Sequence, residues 1–220
     1  MSKNSKVLAL KYRPQVFNDL IGQDIIVETI EKSISQNKIP NAFLFTGIRG
    51  VGKTTIARIL AKSLNCEDSE KNNCINNRCN FCQEISESRH IDVMEIDGAS
   101  HTGIDNVREL IEFSRYGPTS LKYKIFIIDE VHMLSKQAFN ALLKTLEEPP
   151  DYLKFIFATT EVNKIPVTVL SRCQRFDLSR IKSDELNEFL TNVAKMEKID
   201  VNQNVLNLIS KISEGSVRDA

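Results

Sequence analysis

The hydrophobic positions of this chain form two kinds of pattern: short continuous apolar runs, and longer segments in which apolar residues recur with a helical period. A continuous run bounded by turn residues predicts a strand that is buried on both faces. Four runs predict such strands, at 42–46, 91–96, 123–128 and 154–158, and a fifth strand is expected at 173–178.

Helical patterns alternate with these runs. The apolar period that starts at Asp24 predicts a helix with Asp24 as its N-cap, ending near Pro40. Further helices are predicted from Lys53 onward, at 104–116 and at 135–147. Because strands that alternate with helices build a parallel sheet covered by helices, the predicted fold class is α/β with a parallel sheet.

The pattern changes after Arg180, where two amphipathic helices are predicted at 184–198 and 203–214. No strand is expected between them, so we place a domain boundary at 178–183. The predicted domains are therefore an α/β domain at 1–179 and a helical domain at 180–220. A third helix should begin at 216–220, and we expect the second domain to be truncated and the natural protein to be longer.

Composition excludes several classes of protein. Of 220 residues, 41% are hydrophobic and 26% charged, unlike a disordered tail, a collagen-like repeat or a disulfide miniprotein. The 29 basic and 29 acidic residues cancel, so binding of nucleic acid would require a local basic stripe. No apolar run approaches a membrane span, and residues 1–13 lack the core of a signal peptide. We expect a cytoplasmic protein with no membrane partner.

Residues 47–54 read GIRGVGKT and match the phosphate-binding loop. Their three glycines let backbone amides converge on a triphosphate, Lys53 can reach the β and γ phosphates, and the Thr54 hydroxyl can ligate Mg²⁺. A chance glycine turn would match the letters alone. The loop, however, follows a predicted strand and opens a predicted helix, as the motif requires, so we predict nucleotide binding.

Two adjacent carboxylates, Asp129 and Glu130, end the third predicted strand. We expect this strand to neighbour the strand before the phosphate-binding loop, so that Asp129 holds Mg²⁺ and Glu130 polarises the water that attacks the γ-phosphate. The competing interpretation is a strand end with solvated charges. A phosphate-binding loop upstream favours the catalytic interpretation.

Four of the five cysteines cluster in one segment, namely Cys66, Cys74, Cys79 and Cys82. Four thiolates can close a tetrahedral Zn²⁺ site, which would be structural because no position is left open for water. The competing interpretation is a loop of reduced thiols. The nearby histidines lack ligand spacing, so we expect them to be hydrogen-bonding or surface residues: His90, His101 and His132.

Two further residues are candidates for the site only in combination with the phosphate-binding loop and the paired carboxylates. Thr160 ends the strand expected next to the carboxylates, where its hydroxyl could orient the attacking water. Arg172 lies where a short helix would meet the fifth strand. Taken alone, such an arginine is a surface charge.

Together these motifs resemble those of the clamp-loader AAA+ ATPases. The residues that carry the resemblance are 47–54 (Walker A), 129–132 (Walker B), Thr160 (sensor 1), 171–173 (arginine finger) and 215–218 (sensor 2). Other features make the chain most similar to the gamma/tau family of bacterial DNA polymerase III: 12–14, Gly22 with Gln23, the cysteine insert and 140–150. The resemblance implies an AAA+ core of five parallel strands followed by a small helical lid.

The resemblance also implies roles for individual residues. Arg13 and its neighbours would line the adenine pocket. Arg172 would act in trans and complete the site of the next subunit, and Arg218 would reach from the lid to the γ-phosphate. The catalytic set would comprise Lys53, Glu130, Thr160, Arg172 and Arg218. The nucleotide would contact Ala9, Tyr12, Arg13, Gly47, Ile48, Arg49, Gly50, Val51, Gly52, Lys53, Thr54, Thr55, Asp129 and Arg218, with Mg²⁺ on Thr54 and Asp129.

The function implied is that of an ATP-hydrolysing motor subunit, which opens the sliding clamp and loads it onto primed DNA within the polymerase III holoenzyme without polymerising DNA itself. The cofactors would be ATP, Mg²⁺ and structural Zn²⁺. The partners would be the delta and delta-prime subunits, further gamma/tau copies, the sliding clamp and the phosphates of primer–template DNA. The expected phosphate contacts are Arg108, Lys144 and Lys164. His101 and Gly103 occupy a segment that is more often basic in the family.

Two alternatives have sequence features of their own. The letters DEVH at 129–132 also resemble the box of superfamily 2 helicases, but those enzymes use a second large nucleotide-binding domain, and no such pattern follows Arg180. A non-catalytic clamp-loader scaffold would keep the fold and the arginine of 171–173. The intact set of Lys53, Thr54, Asp129 and Glu130 argues against a scaffold.

Overall fold

The computed structural model describes residues 7–67 and 79–220, and a five-stranded sheet forms its centre. The strands are β1 Ala42–Thr46, β2 Val93–Asp97, β3 Lys124–Asp129, β4 Leu153–Thr159 and β5 Gln174–Asp177. They pair in parallel in the order β2-β3-β4-β1-β5. The predicted α/β fold with a five-stranded parallel sheet is confirmed.

The strand order corrects one expectation. We expected β3, with its two acids, to neighbour β1, but β4 pairs with both strands and separates them. All seven residues of β4 are buried, which suits a central strand. The apolar pattern of a strand shows that it is buried, not which strand lies beside it, and the error follows from that limit.

Side chains of each strand alternate between the two faces of the sheet and form two hydrophobic clusters. Phe43 and Phe45 of β1 belong to one cluster, whereas Leu44 between them belongs to the other. Each large side chain that is removed from water in this way contributes roughly 1.5–3 kcal/mol. The sheet is thereby fixed from both sides, and the loops at its edges are built on a rigid base.

The helices cover both faces of the sheet. Their bounds are α1 Leu8–Lys11, α2 Asp24–Ser35, α3 Lys53–Asn65, α4 Asn80–Ser86, α5 Ile104–Ser114, α6 Lys136–Glu147, α7 Val167–Leu170, α8 Ser183–Glu197 and α9 Gln203–Ile212. Buried residues of α2 and α3 belong to the first cluster, and those of α5 and α6 to the second. Short 3-10 turns lie at Phe17–Asp19, Val131–Met133 and Val162–Lys164.

Helix α2 differs from its predicted form at both ends. Its N-cap is Gln23 rather than Asp24, because the Gln23 side chain is drawn to the backbone of Ser179, donating to the carbonyl at 2.8 Å and accepting from the N–H at 3.2 Å. The helix ends at Ser35, five residues before Pro40, since Asn37 adopts a left-handed φ of 53°.

The segment after β5 contains α8 and α9, which pack against each other. The third helix expected to begin at 216–220 stays a prediction: 217–219 are a turn, and the Ala220 N–H donates to the Ser216 carbonyl at 3.3 Å across it. Ser216 Oγ donates to Asp219 Oδ2 at 2.6 Å within it. This turn folds back onto the phosphate-binding loop, since the Arg218 N–H donates to the Gly50 carbonyl at 3.4 Å. The division into domains at 1–179 and 180–220 stays a prediction.

Candidate active site

The loop between β1 and α3 turns tightly over the segment that matches the phosphate-binding motif. Gly50 and Gly52 have φ values of 78° and 108°, which side chains rarely adopt. A Cβ at Gly50 would collide with Ser216 Oγ, whereas a Cβ at Gly52 would meet no described atom within 4 Å. Gly50 therefore permits close packing against the C-terminal turn, and Gly52 leaves space open beside the loop.

Lys53 opens α3 and is buried under this loop. Its Nζ donates to the carbonyls of Gly47 at 3.0 Å and Ile48 at 2.8 Å. Burial lowers the pKa of the ammonium group, while the carboxylates of Glu130 and Asp129 act in the opposite direction. The positive charge thus lies at the positive end of a helix dipole, an arrangement that attracts phosphate.

Thr54, at the start of α3, meets Asp129 at the end of β3, although β4 separates β3 from the strand that leads into the loop. Thr54 Oγ1 donates to Asp129 Oδ2 at 2.5 Å, and Asp129 Oδ1 accepts from the Glu130 N–H at 2.9 Å. A hydroxyl beside a carboxylate is a donor set of the kind that Mg²⁺ takes from proteins, with its remaining positions left to water and phosphate. These two residues fit the predicted metal role.

Glu130 is held in a particular conformation by its surroundings. Its φ and ψ are both 45°, the left-handed region, and such strain costs about 1–3 kcal/mol. A Cβ at Gly98 would lie 2.7 Å from the Glu130 carbonyl oxygen, so the backbones can approach only because position 98 is glycine. Glu130 Oε2 accepts from the Thr160 N–H at 3.3 Å and from Thr160 Oγ1 at 3.2 Å. The predicted base and the predicted sensor residue are therefore in contact.

The histidines make hydrogen bonds, as expected. His90 Nδ1 accepts from the Asp92 N–H at 3.0 Å, and His101 Nδ1 lies 3.2 Å from the Asp97 carbonyl. His132 was not predicted to belong to the site, yet its Nδ1 lies 3.4 Å from Glu130 Oε2. Its position three residues after Asp129, at the start of an apolar segment, was the available signal.

Of the residues expected near the adenine, Arg13 lies beside α3. It lines a cavity of about 230 Å³ together with Thr55 and Arg58. Burial and the neighbouring Arg58 lower the pKa of its guanidinium. Sequence reasoning missed that Arg58 is neutralised by Glu95, with two bonds of 2.7 Å, because the pair joins a helix to a distant strand.

The other two residues expected near the adenine lie on or beside α1. The Tyr12 hydroxyl donates to the Glu197 carboxylate of α8, which also accepts from Lys11 Nζ. Ala9 is exposed. These contacts tie the N-terminal segment to α8.

Arg172 lies at the opposite edge of the sheet from the loop. It precedes β5, whose first residue Gln174 pairs with Phe43 near the start of β1. Its guanidinium donates to Glu147 Oε1 at the end of α6 and to the Thr168 carbonyl. The length of β1, roughly 15 Å at about 3.3 Å per residue, separates Arg172 from the loop that follows Thr46.

Comparison with known proteins decides the family. The family model described as "DNA polymerase III, delta subunit" matches residues 22–182, well over half of the chain. The chain belongs to this family. The match covers every element from the Gly22 turn to the segment after β5 and includes both nucleotide-binding motifs.

The individual relatives that match this chain are named for the gamma and tau subunits, whereas the family model is named for the delta subunit. The chain is 50% identical over 218 residues to DNA polymerase III subunit gamma of Buchnera aphidicola subsp. Baizongia pistaciae, covering 99% of the chain and 58% of that protein. It is 45% identical over 216 residues to DNA polymerase III subunit tau of Escherichia coli, covering 98% of the chain and 33% of that protein. The resemblance to gamma and tau is confirmed, over part of the length of these relatives.

Solved structures identify the fold. The Holliday junction branch migration motor RuvB of Thermotoga maritima matches 94% of the chain and 62% of its own with a TM-score of 0.67, at 21% identity. The shared architecture is the AAA+ fold, as predicted. At this level of identity the likeness concerns the fold alone.

The cysteine insert of this family member lies at the end of α3 and the start of α4. The sulfur atoms of Cys66, Cys79 and Cys82 all lie within 4.8 Å of one another, and Cys74 lies outside the described residues. Burial raises the pKa of the Cys82 thiol, and hydrogen bonding to Cys79 adds to the shift. Three converging sulfurs suit Zn²⁺, which binds thiolates at about 2.3 Å.

The three basic residues expected to contact DNA lie on the surface. Arg108 is on α5, Lys144 on α6 and Lys164 in a 3-10 turn. Arg108 pairs with Asp105 at 3.2 Å and Lys164 with Glu161 at 2.9 Å, so both would exchange an acidic partner for a phosphate.

Across the described residues, no helix is long and apolar enough to cross a membrane.

Proposed function

We propose that this chain is the ATP-binding and ATP-hydrolysing motor of a bacterial clamp loader, which opens the sliding clamp and loads it onto primed DNA within the DNA polymerase III holoenzyme. The names of its gamma and tau relatives support this function. One observation carries the proposal: Lys53, Thr54, Asp129 and Glu130 converge at one edge of the sheet although they come from separate segments.

Each residue of the site has a separate role in this proposal. Backbone amides of the phosphate-binding loop and Lys53 hold the phosphates, and Lys53 exchanges its two loop carbonyls for phosphate oxygens. Thr54 and Asp129 hold Mg²⁺, which neutralises charge on the phosphates when bound. Glu130 accepts a proton from the attacking water, which Thr160 helps to orient. Arg13 borders the nucleoside, and Arg218 approaches from the turn that packs on Gly50.

The position of Arg172 supports action in trans. Because a strand length separates it from the loop of its own chain, its guanidinium must serve the site of a neighbouring subunit. Other loader subunits and further copies of this chain are thus the proposed partners, and hydrolysis depends on assembly. Exposed Arg108, Lys144 and Lys164 would contact DNA phosphates, which gives position without sequence preference.

The cysteine cluster has a structural function in this proposal. Cys66, Cys74, Cys79 and Cys82 would hold one Zn²⁺, with no position left for water. The metal would fix α4 against the end of α3, since two of the ligands flank these helix ends.

The test is ATP binding and turnover by the complete chain, with and without the other loader subunits, clamp and primed DNA. Lys53→Ala should weaken ATP binding by about 10- to 100-fold in calorimetry, because a charged hydrogen bond to phosphate is lost. Lys136→Ala, a change at an exposed lysine of α6, should leave ATP binding unchanged.

Three results would contradict the proposal. Unchanged ATP affinity in Lys53→Ala would refute the phosphate role of Lys53. Binding without turnover in the full assembly would indicate the scaffold alternative, and DNA unwinding by the chain would indicate a helicase.

A further inference from the structure

His132 has a largely buried side chain next to the proposed base, and the motifs assign it no function. Its side chain is 6% exposed. Nδ1 lies 3.0 Å from Thr159 Oγ1 and 3.4 Å from Glu130 Oε2, and Nε2 lies 3.3 Å from Glu161 Oε1. The ring thus touches two carboxylates and one hydroxyl.

The partners of the ring determine where its proton lies. The Glu161 N–H donates to Thr159 Oγ1 at 3.0 Å, which leaves the hydroxyl proton of Thr159 for Nδ1 of His132. Because Nδ1 takes the Thr159 proton, the neutral ring carries its own proton on Nε2, where the Glu161 carboxylate can accept it. A hydrogen bond from Lys164 lowers the pKa of Glu161 and keeps that carboxylate an acceptor.

The same ring nitrogen contacts both the Thr159 hydroxyl and the Glu130 carboxylate. Thr159 is completely buried, and a buried donor needs an acceptor. His132 Nδ1 is that acceptor, and the same nitrogen lies next to Glu130 Oε2, which takes its bonds from Thr160 instead. Without the ring, the Thr159 proton would have the Glu130 carboxylate as a competing partner.

We propose that His132 is a positioning residue for the ATPase base: by engaging the Thr159 hydroxyl, it keeps the Glu130 carboxylate on Thr160 and directed at the phosphate site. This inference rests on the proposed ATPase function. It assigns His132 an indirect role, because the ring contacts the base and not the nucleotide.

Single variants of the complete chain, assembled with its loader partners and primed DNA, make the first test. His132→Ala should lower kcat by about 10- to 100-fold, as expected for a displaced catalytic group, with an unchanged dissociation constant for ATP. His132→Asn places an acceptor where Nδ1 lies and should keep most of the activity. His132→Gln reaches the position of Nε2 instead and should behave like His132→Ala.

The decisive variant is His132→Ala combined with Thr159→Val, which removes the competing donor at nearly constant shape. Its kcat should return to that of Thr159→Val alone. A purely structural function of His132 predicts no recovery, since the second change adds nothing to packing. If His132→Ala proves unfolded in a thermal melt, the difference in kcat between His132→Asn and His132→Gln tests the proposal instead.

Crystal structures provide a measurement that does not depend on activity. In His132→Ala the Glu130 carboxylate should turn to Thr159 Oγ1, and a carboxylate that stays on Thr160 would overturn the proposal. Unchanged kcat in His132→Ala, or a loss that Thr159→Val does not reverse, would also overturn it. An inactive wild-type assembly would instead refute the proposed ATPase function, while the crystal structures would still test the positioning role.

Discussion

The carboxyl and amino edges of the sheet carry different chemistry. At the carboxyl edge, β1 leads into the phosphate-binding loop and β3 into Asp129 and Glu130, so phosphate-binding and acidic groups lie side by side. At the amino edge, Arg172 is paired with Glu147 and with the Thr168 carbonyl. In the proposed function, one edge holds most of the catalytic site, and the other holds Arg172, which would complete the site of a neighbouring subunit.

Under the proposed function, this difference would make a single chain a poor ATPase. An arginine that stabilises charge in the transition state has to reach the γ-phosphate, and the length of β1 separates Arg172 from the loop of its own chain. Placing the carboxyl edge of one subunit against the amino edge of the next brings the two halves together. Such head-to-tail contacts build rings or spirals, and ATP hydrolysis would then depend on assembly of the subunits.

Arg172→Ala should produce the largest effect. In the assembled complex, loss of a trans-acting arginine should slow ATP turnover by about a thousandfold. ATP binding by the isolated chain should stay intact, because Arg172 lies at the far edge from the loop. Turnover with and without partner subunits, together with calorimetry on the isolated chain, measures both quantities.

Arg115→Ala is the matched control for this prediction. Arg115 is also exposed, pairs with Glu112 at 3.2 Å and follows α5 at the same edge of the sheet. It should leave turnover unchanged. An equal loss of activity for Arg172→Ala in the isolated chain and in the complex would argue against action in trans.

Glu130→Gln should produce the next largest effect, at the other edge. The amide keeps an oxygen acceptor for Thr160 but cannot take a proton, so turnover should fall by about a hundredfold or more while ATP affinity is unchanged. Single-turnover kinetics in the complex measures the loss. Glu148→Gln, at the exposed end of α6, is the control. Turnover at the wild-type rate would remove Glu130 as the base.

The fold could be predicted from the sequence to the extent that it depends on local patterns. The strands and long helices follow from apolar runs and helical periods, which are properties of short segments. The order of the strands is not local, and so β4 was not expected between β1 and β3. The N-cap of α2 was missed for the same reason, because Gln23 is fixed by Ser179, far away in the chain.

The residues of the site fall into the same two groups, those that local sequence predicts and those that depend on the folded structure. Lys53, Thr54, Asp129 and Glu130 lie in motifs whose chemistry depends on neighbours in sequence. Gly98 and the pair of Arg58 with Glu95 act through contacts between distant segments, and no spacing reveals them, whereas His132 offered only its position three residues after Asp129. Backbone strain at Glu130 likewise appears only when the packing of Gly98 against it is known.

A smaller effect is expected at Asp92, just before β2 at the amino edge. Its carboxylate accepts from the N–H groups of Thr119 at 2.8 Å, Ser120 at 3.0 Å and Leu121 at 3.2 Å. Burial alone would raise the pKa of Asp92, but these three donors outweigh it and the pKa is lowered. Asp92→Asn should therefore reduce the free energy of unfolding by about 1–3 kcal/mol at pH 7.

The pH dependence of the stability loss in Asp92→Asn distinguishes an effect of charge from an effect of packing. Because the folded pKa of Asp92 lies below the unfolded value of about 3.9, its contribution is complete above that pH and disappears as pH falls through the folded pKa. Urea unfolding should thus show the wild type and Asp92→Asn converging in acid, whereas exposed Asp151→Asn should differ from the wild type by less than about 0.5 kcal/mol. A stability difference that persists in acid would show that Asp92 acts by packing rather than by charge. Turnover per folded molecule should be unchanged in Asp92→Asn, since this part of the amino edge supports the fold and touches no catalytic group.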